Sequence, residues 1–420
     1  VYNGRVKLNR RQVVTYSLAG AGGLGLVGAL GYREWRRLAY VPTEQHVEDH
    51  PGLFAAPAAK LTARRRLGRT NLQVSVIGIG AGGLEGPEPI ARAVDKGMNY
   101  IDTSICYGGS EKVIARALQL NPGLREKLTI ATKWDAGHNW KKSEILDSLN
   151  DSLKRLGVST IDIMQLHWLG GGHKDPDDGF NRLNNDELYR AMEDAKKSGK
   201  VRFFGATSHA AERSKILKHA IDKGVFDMLL VKMNVLDYES ADLPSLLAHA
   251  KAKDVGVVVM KSQPAGDAIP EAYKKSKYSI YQANLRWVLE HDVACVVHSK
   301  IGTDKSYQDL AVGAVQERFG ELDRALLYRY ASALSPEYCR GCGDECVPAC
   351  PHGIAIPHVV QFAMYDRQYG WHERAKQHYD ALPLAQRWSE TCLGCTRCND
   401  ACSYGFDAAG QINEAKRRLG

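Results

Sequence analysis

Eight short β-branched runs alternate with longer helix-period segments through the middle of this 420-residue chain, and eight of its ten cysteines crowd into two groups near its end. Eight strand–helix units within about 250 residues are what a closed parallel barrel requires. The two cysteine groups mark a second, smaller unit. The predicted fold class is therefore α/β: a (β/α)8 TIM barrel over residues 65–320, followed by a mostly helical cysteine-rich domain over 321–420.

The N-terminus differs from both. Arg5, Lys7, Arg10 and Arg11 precede an apolar, glycine-rich stretch from Val13 to Gly31. The run Asn9-Arg10-Arg11-Gln12-Val13-Val14 resembles a twin-arginine export signal, which carries proteins already folded around their cofactors. Residues 1–35 are read as that signal or as a membrane anchor, since roughly twenty apolar residues span a bilayer as a helix. Ala29-Leu30-Gly31 offers a weak small-x-small cleavage site, so removal and retention both stay open. A bacterial protein, periplasmic or anchored facing the periplasm, is expected. Residues 36–64, with prolines, histidines and alanines but no clear period, read as a linker.

In the barrel the strand candidates are Val74–Ile79, Asn99–Asp102, Leu128–Lys133, Ile161–His167, Val201–Ala206, Met228–Lys232, Val255–Met260 and Ala294–Val297. Seven helix-period segments separate them, and an eighth begins near Asp304. A doubly wound sheet is the alternative. However, the glycines at 78, 80, 82 and 83 lack the G-x-G-x-x-G spacing of a dinucleotide turn.

Barrel enzymes draw their reacting groups from the carboxyl ends of the strands. Those ends supply Asp102, with Tyr107 in the following loop, then Lys133, then His167. A phenol with a pKa near 10 is a slow proton donor at neutral pH. A neighbouring ammonium favours its phenolate, and a carboxylate keeps that ammonium charged and oriented. An imidazole nearby can share the hydrogen bond to a carbonyl oxygen. Such a set protonates an oxygen while hydride arrives at its carbon. Taken singly, each residue has a plain structural explanation; four at consecutive strand ends do not.

The tail reads C-x2-C-x3-C-x3-C at Cys339, Cys342, Cys346 and Cys350, with Pro351 next, and C-x2-C-x2-C-x3-C at Cys392, Cys395, Cys398 and Cys402. Four thiolates per group is the count a [4Fe–4S] cube needs. Zinc would close with two pairs rather than two groups of four, and disulfides would be strained within so few residues. In two-cluster ferredoxins the fourth cysteine of each run serves the other cube. That rule pairs Cys339, Cys342 and Cys346 with Cys402, and Cys392, Cys395 and Cys398 with Cys350. Ile354 to Trp388 looks helical, so an α-helical ferredoxin-like module is expected. Ser403 stands where a second proline would follow Cys402. Cys106 and Cys295 are read as small packing residues. The formal charge of +8 sits in short runs such as Arg64 to Arg66 with no aromatic-studded basic stripe, so nucleic-acid binding is not expected.

Residues 66–316 resemble the aldo-keto reductase family. The opening at 66–75, the segment 99–111 with Asp102 and Tyr107, Ala131-Thr-Lys-Trp134 and Met164-Gln-Leu-His167 carry the resemblance, and all four members of the family's tetrad are present. The tail is similar to that of a bacterial subgroup with C-terminal cysteine clusters. The resemblance implies an NADP or NAD cofactor and a small carbonyl or sugar substrate. By position it implies nucleotide contacts from Ser208 and His209, Asn234, Met260 and Lys261, and Lys300, Thr303 and Lys305. His209 departs from the usual asparagine, no glutamine stands near Asn234, and the arginine for a 2′-phosphate is missing. A one-electron cube beside a two-electron hydride carrier, with no flavin signature, leaves other readings open: an electron-transfer subunit with a protein partner and the barrel as docking body, or a sensor on a retained barrel.

Overall fold

The computed structural model describes residues 60–170, 178–210, 212–239, 241–264, 273 and 277–420. The proposed signal and most of the linker lie outside the described residues. Ten strands are present among the described residues. β1 (Arg64–Arg66) and β2 (Gln73–Ser75) form an antiparallel pair. β3 (Ile77–Gly80), β4 (Tyr100–Asp102), β5 (Thr129–Trp134), β6 (Ile161–Leu166), β7 (Val201–Ser208), β8 (Met228–Lys232), β9 (Gly256–Met260) and β10 (Cys295–His298) close a parallel barrel in that order. Every residue of β5 and β6 is buried, as expected where helices cover the sheet from outside and side chains fill it from within.

The predicted first strand, Val74–Ile79, is divided. The Ser75 backbone N–H donates to the Asn99 side chain and the Ser75 hydroxyl to the Ile77 carbonyl, so the chain turns before entering the barrel. The leading hairpin plugs the barrel floor: Leu67 and Val74 pack with Tyr100, Ile163, Leu230 and Val258. Gly68 lies between these strands at φ +49, and a Cβ there would come within 2.2 Å of the Gly256 backbone nitrogen. A side chain at that position would lift the plug.

The outer helices follow the sequence pattern. Lys142–Leu156 buries Ile145, Leu149, Leu153 and Leu156 on one face and stops at Gly157 in the left-handed conformation. The unit after β10 is two short helices, Ser299–Thr303 and Lys305–Ala314. A further helix, Glu321–Leu334, packs on the barrel helix Lys277–Leu289: Arg286 forks onto both Asp323 oxygens at 2.9 and 2.7 Å, and Leu326, Leu327 and Tyr330 join Leu236 and Ile280. The boundary drawn at 320 thus falls before a helix that belongs to the barrel's packing.

The remaining residues form a helical domain, led by the helices Ile356–Tyr369, His372–Ala381 and Ala408–Leu419. Its core of Ile354, Val359, Phe362, Tyr379 and Ile412 also encloses Trp168 from the barrel. Trp168 follows β6 with φ +56, a conformation few side chains accept. That turn carries the indole out of the strand line and into the helical domain, which therefore sits on the barrel's carboxyl-end rim. Among the described residues, no helix is long and apolar enough to cross a membrane.

Candidate active site and cluster sites

β4, β5 and β6 bring the four predicted residues to one mouth. Lys133 Nζ lies 2.5 Å from Asp102 Oδ2 and donates to the Thr103 carbonyl at 2.6 Å. The same ammonium stands 4.8 Å from the centre of the Tyr107 ring. Gln165 holds the other Asp102 oxygen at 2.9 Å. The His167 ring meets Tyr107 edge-on, centres 6.2 Å apart. Burial pulls the Lys133 ammonium down, but Asp102 and Tyr107 more than offset this and its pKa is raised. Burial pushes the Tyr107 phenol up against the opposing pull of Lys133, so the phenol stays protonated in the closed site.

Two contacts were missed from sequence. His167 Nδ1 lies 2.8 Å from Asp135 Oδ1, and the Cys106 thiol donates to Asp135 Oδ2 at 2.7 Å. Asp135 directly follows β5, so its strand-end position was a usable signal. Burial works against the Asp135 carboxylate, yet the hydrogen bonds from His167 and Cys106 hold it below the usual range. Burial likewise keeps His167 neutral and pushes Cys106 up to about 11. An ionised carboxylate only accepts, so the neutral imidazole carries its proton on Nδ1 and presents Nε2 as an acceptor. The sequence reading has this ring share the hydrogen bond to a substrate oxygen, and with Nδ1–H held by Asp135 it is Nε2 that is left to face the substrate.

The pocket around these groups, about 400 Å3, has two walls. The barrel supplies Tyr107, Lys133, His167, Met260 and Lys261; the helical domain supplies Trp371 and Arg374. No sequence motif marked the last two. A second cavity of about 810 Å3 shares His209 and Lys261 with the first and reaches Lys232, Arg340 and Cys339.

Of the predicted nucleotide contacts, Met260, Lys261, His209 and Asn234 line these cavities. Ser208 is a correction: its hydroxyl donates to the Leu169 carbonyl and accepts from the Ala210 N–H. Asn234 borders the larger cavity, with its oxygen accepting from the Leu236 and Asp237 N–H groups and its amide donating to Tyr338. Both are spent inside the fold. His209 is bonded to the Tyr365 hydroxyl at 2.8 Å, so the helical domain already uses the imidazole. Lys300, Thr303 and Lys305 lie on the short helices after β10 and border neither cavity. The larger cavity nonetheless suits an anionic nucleotide in room and charge. Arg340 Nη1 is buried there without a protein acceptor, beside Lys232 and Lys261. Burial and the neighbouring Lys232, Arg213 and Arg374 pull the Lys261 ammonium down to about 7, a strain that a phosphate would relieve.

The cysteines assort across the two runs. The Cys346 thiol feels Cys339, Cys342 and Cys402, whereas Cys392 and Cys398 each feel Cys350 and Cys395. Cys350, Cys392, Cys395 and Cys398 line one hollow of about 320 Å3. All of these cysteines are free, so the disulfide alternative has no support. Tetrahedral zinc would draw its thiolates to about 3.8 Å apart. Among the described residues, the one group of three or more such ligands within 4.8 Å is Cys106, Asp135 and His167, not a cysteine quartet. The wider spacing suits a cube.

The profile of the Aldo/keto reductase family matches residues 87–266, and that of the 4Fe-4S dicluster domain matches residues 338–406. L-galactose dehydrogenase of Arabidopsis thaliana is 29% identical over 46% of this chain and 63% of that protein. The uncharacterized oxidoreductase YqkF of Bacillus subtilis is 30% identical over 44% of this chain and 61% of that protein. The chain thus spans just over three-fifths of the length of these curated relatives. The aldo-keto reductase AKR11C1 from Bacillus halodurans, in its holo form, superposes with a TM-score of 0.50 at 23% identity, covering 64% of this chain and 96% of that one, and supports the barrel fold. One chain thus matches two family models, that of the Aldo/keto reductase family over the barrel and that of the 4Fe-4S dicluster domain over the helical domain.

Proposed function

We propose that the protein is an oxidoreductase that interconverts an aldehyde or ketone, a keto-sugar included, with its alcohol. The observation that carries this reading is Lys133, buried between the Asp102 carboxylate and the Tyr107 ring at the mouth of a pocket. When bound, a nicotinamide nucleotide supplies or accepts the hydride, and Lys261 and Arg340 in the larger cavity would hold its phosphates, while Lys232 is paired with Asp237. Tyr107 gives its proton to the carbonyl oxygen. Lys133 lowers the cost of the phenolate that remains, and Asp102, steadied by Gln165, keeps Lys133 in place. His167 accepts a hydrogen bond from the substrate hydroxyl through Nε2 and so favours the alcohol side of the exchange.

The two cysteine sets each hold a [4Fe–4S] cluster in this reading, and export by the twin-arginine route delivers the protein with them in place. A second reading, electron exchange with a protein partner, is favoured by Cys339 bordering the cavity that also holds Lys261. The decisive test is Tyr107→Phe. It is expected to retain nucleotide binding and both clusters while losing turnover by about a thousandfold. Turnover at the wild-type level in that variant refutes the assignment.

A further inference from the structure

The catalytic pocket is completed by a cation that the barrel does not own. The helix His372–Ala381 begins at the pocket: its N-cap residue Trp371 and its third residue Arg374 both face the cavity. The Arg374 guanidinium lies 4.2 Å over the Trp168 ring, directly after His167 in the chain. Among the described residues that line this pocket there is no carboxylate, and the polar partner of Arg374 there is the neutral Cys106 thiol. Asp135, the nearest acidic wall, is committed to His167 and Cys106. Asp102 balances Lys133, and Asp135, whose two partners are neutral, offsets one further charge, so Arg374 and Lys261 together still leave this end of the barrel with an excess of positive charge.

We propose that the substrate of this pocket is a small carbonyl compound bearing a carboxylate, and that Arg374 is the residue that binds that carboxylate. The proposal rests on the oxidoreductase reading and adds the substrate's charge to it. A planar guanidinium stacked on an indole has its orientation fixed, and its fork matches a carboxylate with two parallel hydrogen bonds. The opening turn of its helix adds a partial positive charge at the same wall. The depressed Lys261 and His167 basicities, to both of which Arg374 contributes, are what an anion arriving in the pocket would relieve. A neutral sugar offers nothing to offset this charge. A simple clamp on Trp168 would need the stacked face of the guanidinium but not a place in the pocket lining.

The test uses the full chain with its clusters, monitored by iron content and visible absorption. Benzoate and benzamide, which do not react, are titrated calorimetrically into the wild type, Arg374→Gln and Arg374→Lys. Benzoate is expected to bind the wild type at least about tenfold tighter than benzamide, to lose that advantage in Arg374→Gln and to regain part of it in Arg374→Lys. Turnover is then compared for 4-carboxybenzaldehyde and 4-carbamoylbenzaldehyde, with the change expected in KM for the acid alone and kcat held. Equal binding of benzoate and benzamide by the wild type overturns the proposal without any variant. Equal losses for both probes in Arg374→Gln overturn it as well and assign Arg374 to packing. Benzoate binding through Arg374 with no aldehyde turned over leaves the anion site standing and rejects the oxidoreductase reading instead.

Discussion

Replacing Asp102 by asparagine tests the electrostatic centre of the barrel. The Lys133 and Asp102 side chains are 1% and 6% exposed and meet at 2.5 Å. The substitution leaves shape and one acceptor in place but strands the ammonium, whose other partner is the Thr103 carbonyl. Removing one partner of a buried pair costs about 3–5 kcal/mol. With an unfolding slope of roughly 3 kcal/mol per molar urea, the midpoint of the barrel transition falls by about 1 M or slightly more. Lys133→Met in the same chain removes the stranded charge, so the double variant recovers most of that loss. The sign of the pH dependence follows from burial. Without its carboxylate, Lys133 is drawn below the unfolded value of about 10.4. The unfolded chain then binds the extra proton, and stability rises with pH between the two values by about 1.4 kcal/mol per unit. The Asp102→Asn deficit is therefore full at low pH and shrinks as the solution approaches pH 10. A wild-type urea midpoint for Asp102→Asn, or a deficit that grows with pH, refutes the reasoning.

Other substitutions separate the remaining parts. Cys350→Ser removes a ligand from the set that holds Cys392, Cys395 and Cys398, so iron per chain should fall by about half with the Cys339 set retained. Loss of the Cys339 cluster alone would break the crossed assignment. Asp135→Asn takes the charged acceptor from His167 Nδ1 and frees the imidazole to carry its proton on either nitrogen. The KM for the alcohol should rise by about tenfold relative to that for the carbonyl, with the pH profile displaced and the ratio of kcat/KM in the two directions left at the value the equilibrium sets; an unchanged alcohol KM removes the acceptor role of Nε2.

The parts of the fold that were readable in the sequence are those fixed by local pattern. Barrel strands buried on both faces give continuous β-branched runs, and their ends place Asp102, Lys133 and His167 without any long-range information. The cysteine spacing marked the two ligand sets, and their crossed assortment came from the rule for two-cluster ferredoxins. What was not readable depends on how side chains are spent. Ser208 and Asn234 occupy positions suited to a cofactor, but only the folded chain shows their polar atoms committed to Leu169, Ala210, Leu236, Asp237 and Tyr338. Val74–Ile79 has the period of one strand, and a side-chain bond from Asn99 divides it. Arg374 sits in an unremarkable polar helix whose role comes wholly from where that helix docks.

That docking also bears on why, in the function proposed above, a barrel that handles hydride would be joined to a domain that holds iron. Three contacts tie the helical domain to the catalytic rim: Trp168 lies in that domain's core, Tyr365 bonds His209, and Tyr338 bonds Asn234. Each barrel partner stands at the carboxyl end of a strand, beside or within the pocket lining. A domain of this size has a thin apolar core, and its cysteines carry part of the burden of holding it together. Clusters that fix its helices thereby fix Trp371 and Arg374 over Tyr107, a role that needs no electron to move. Electron exchange, the second reading proposed above, would draw on the same arrangement, because Cys339 and Lys261 border one cavity. The mismatch between one-electron cubes and a two-electron reaction is then no obstacle to the chemistry, since the proton and hydride steps require only the wall that the clusters keep in place.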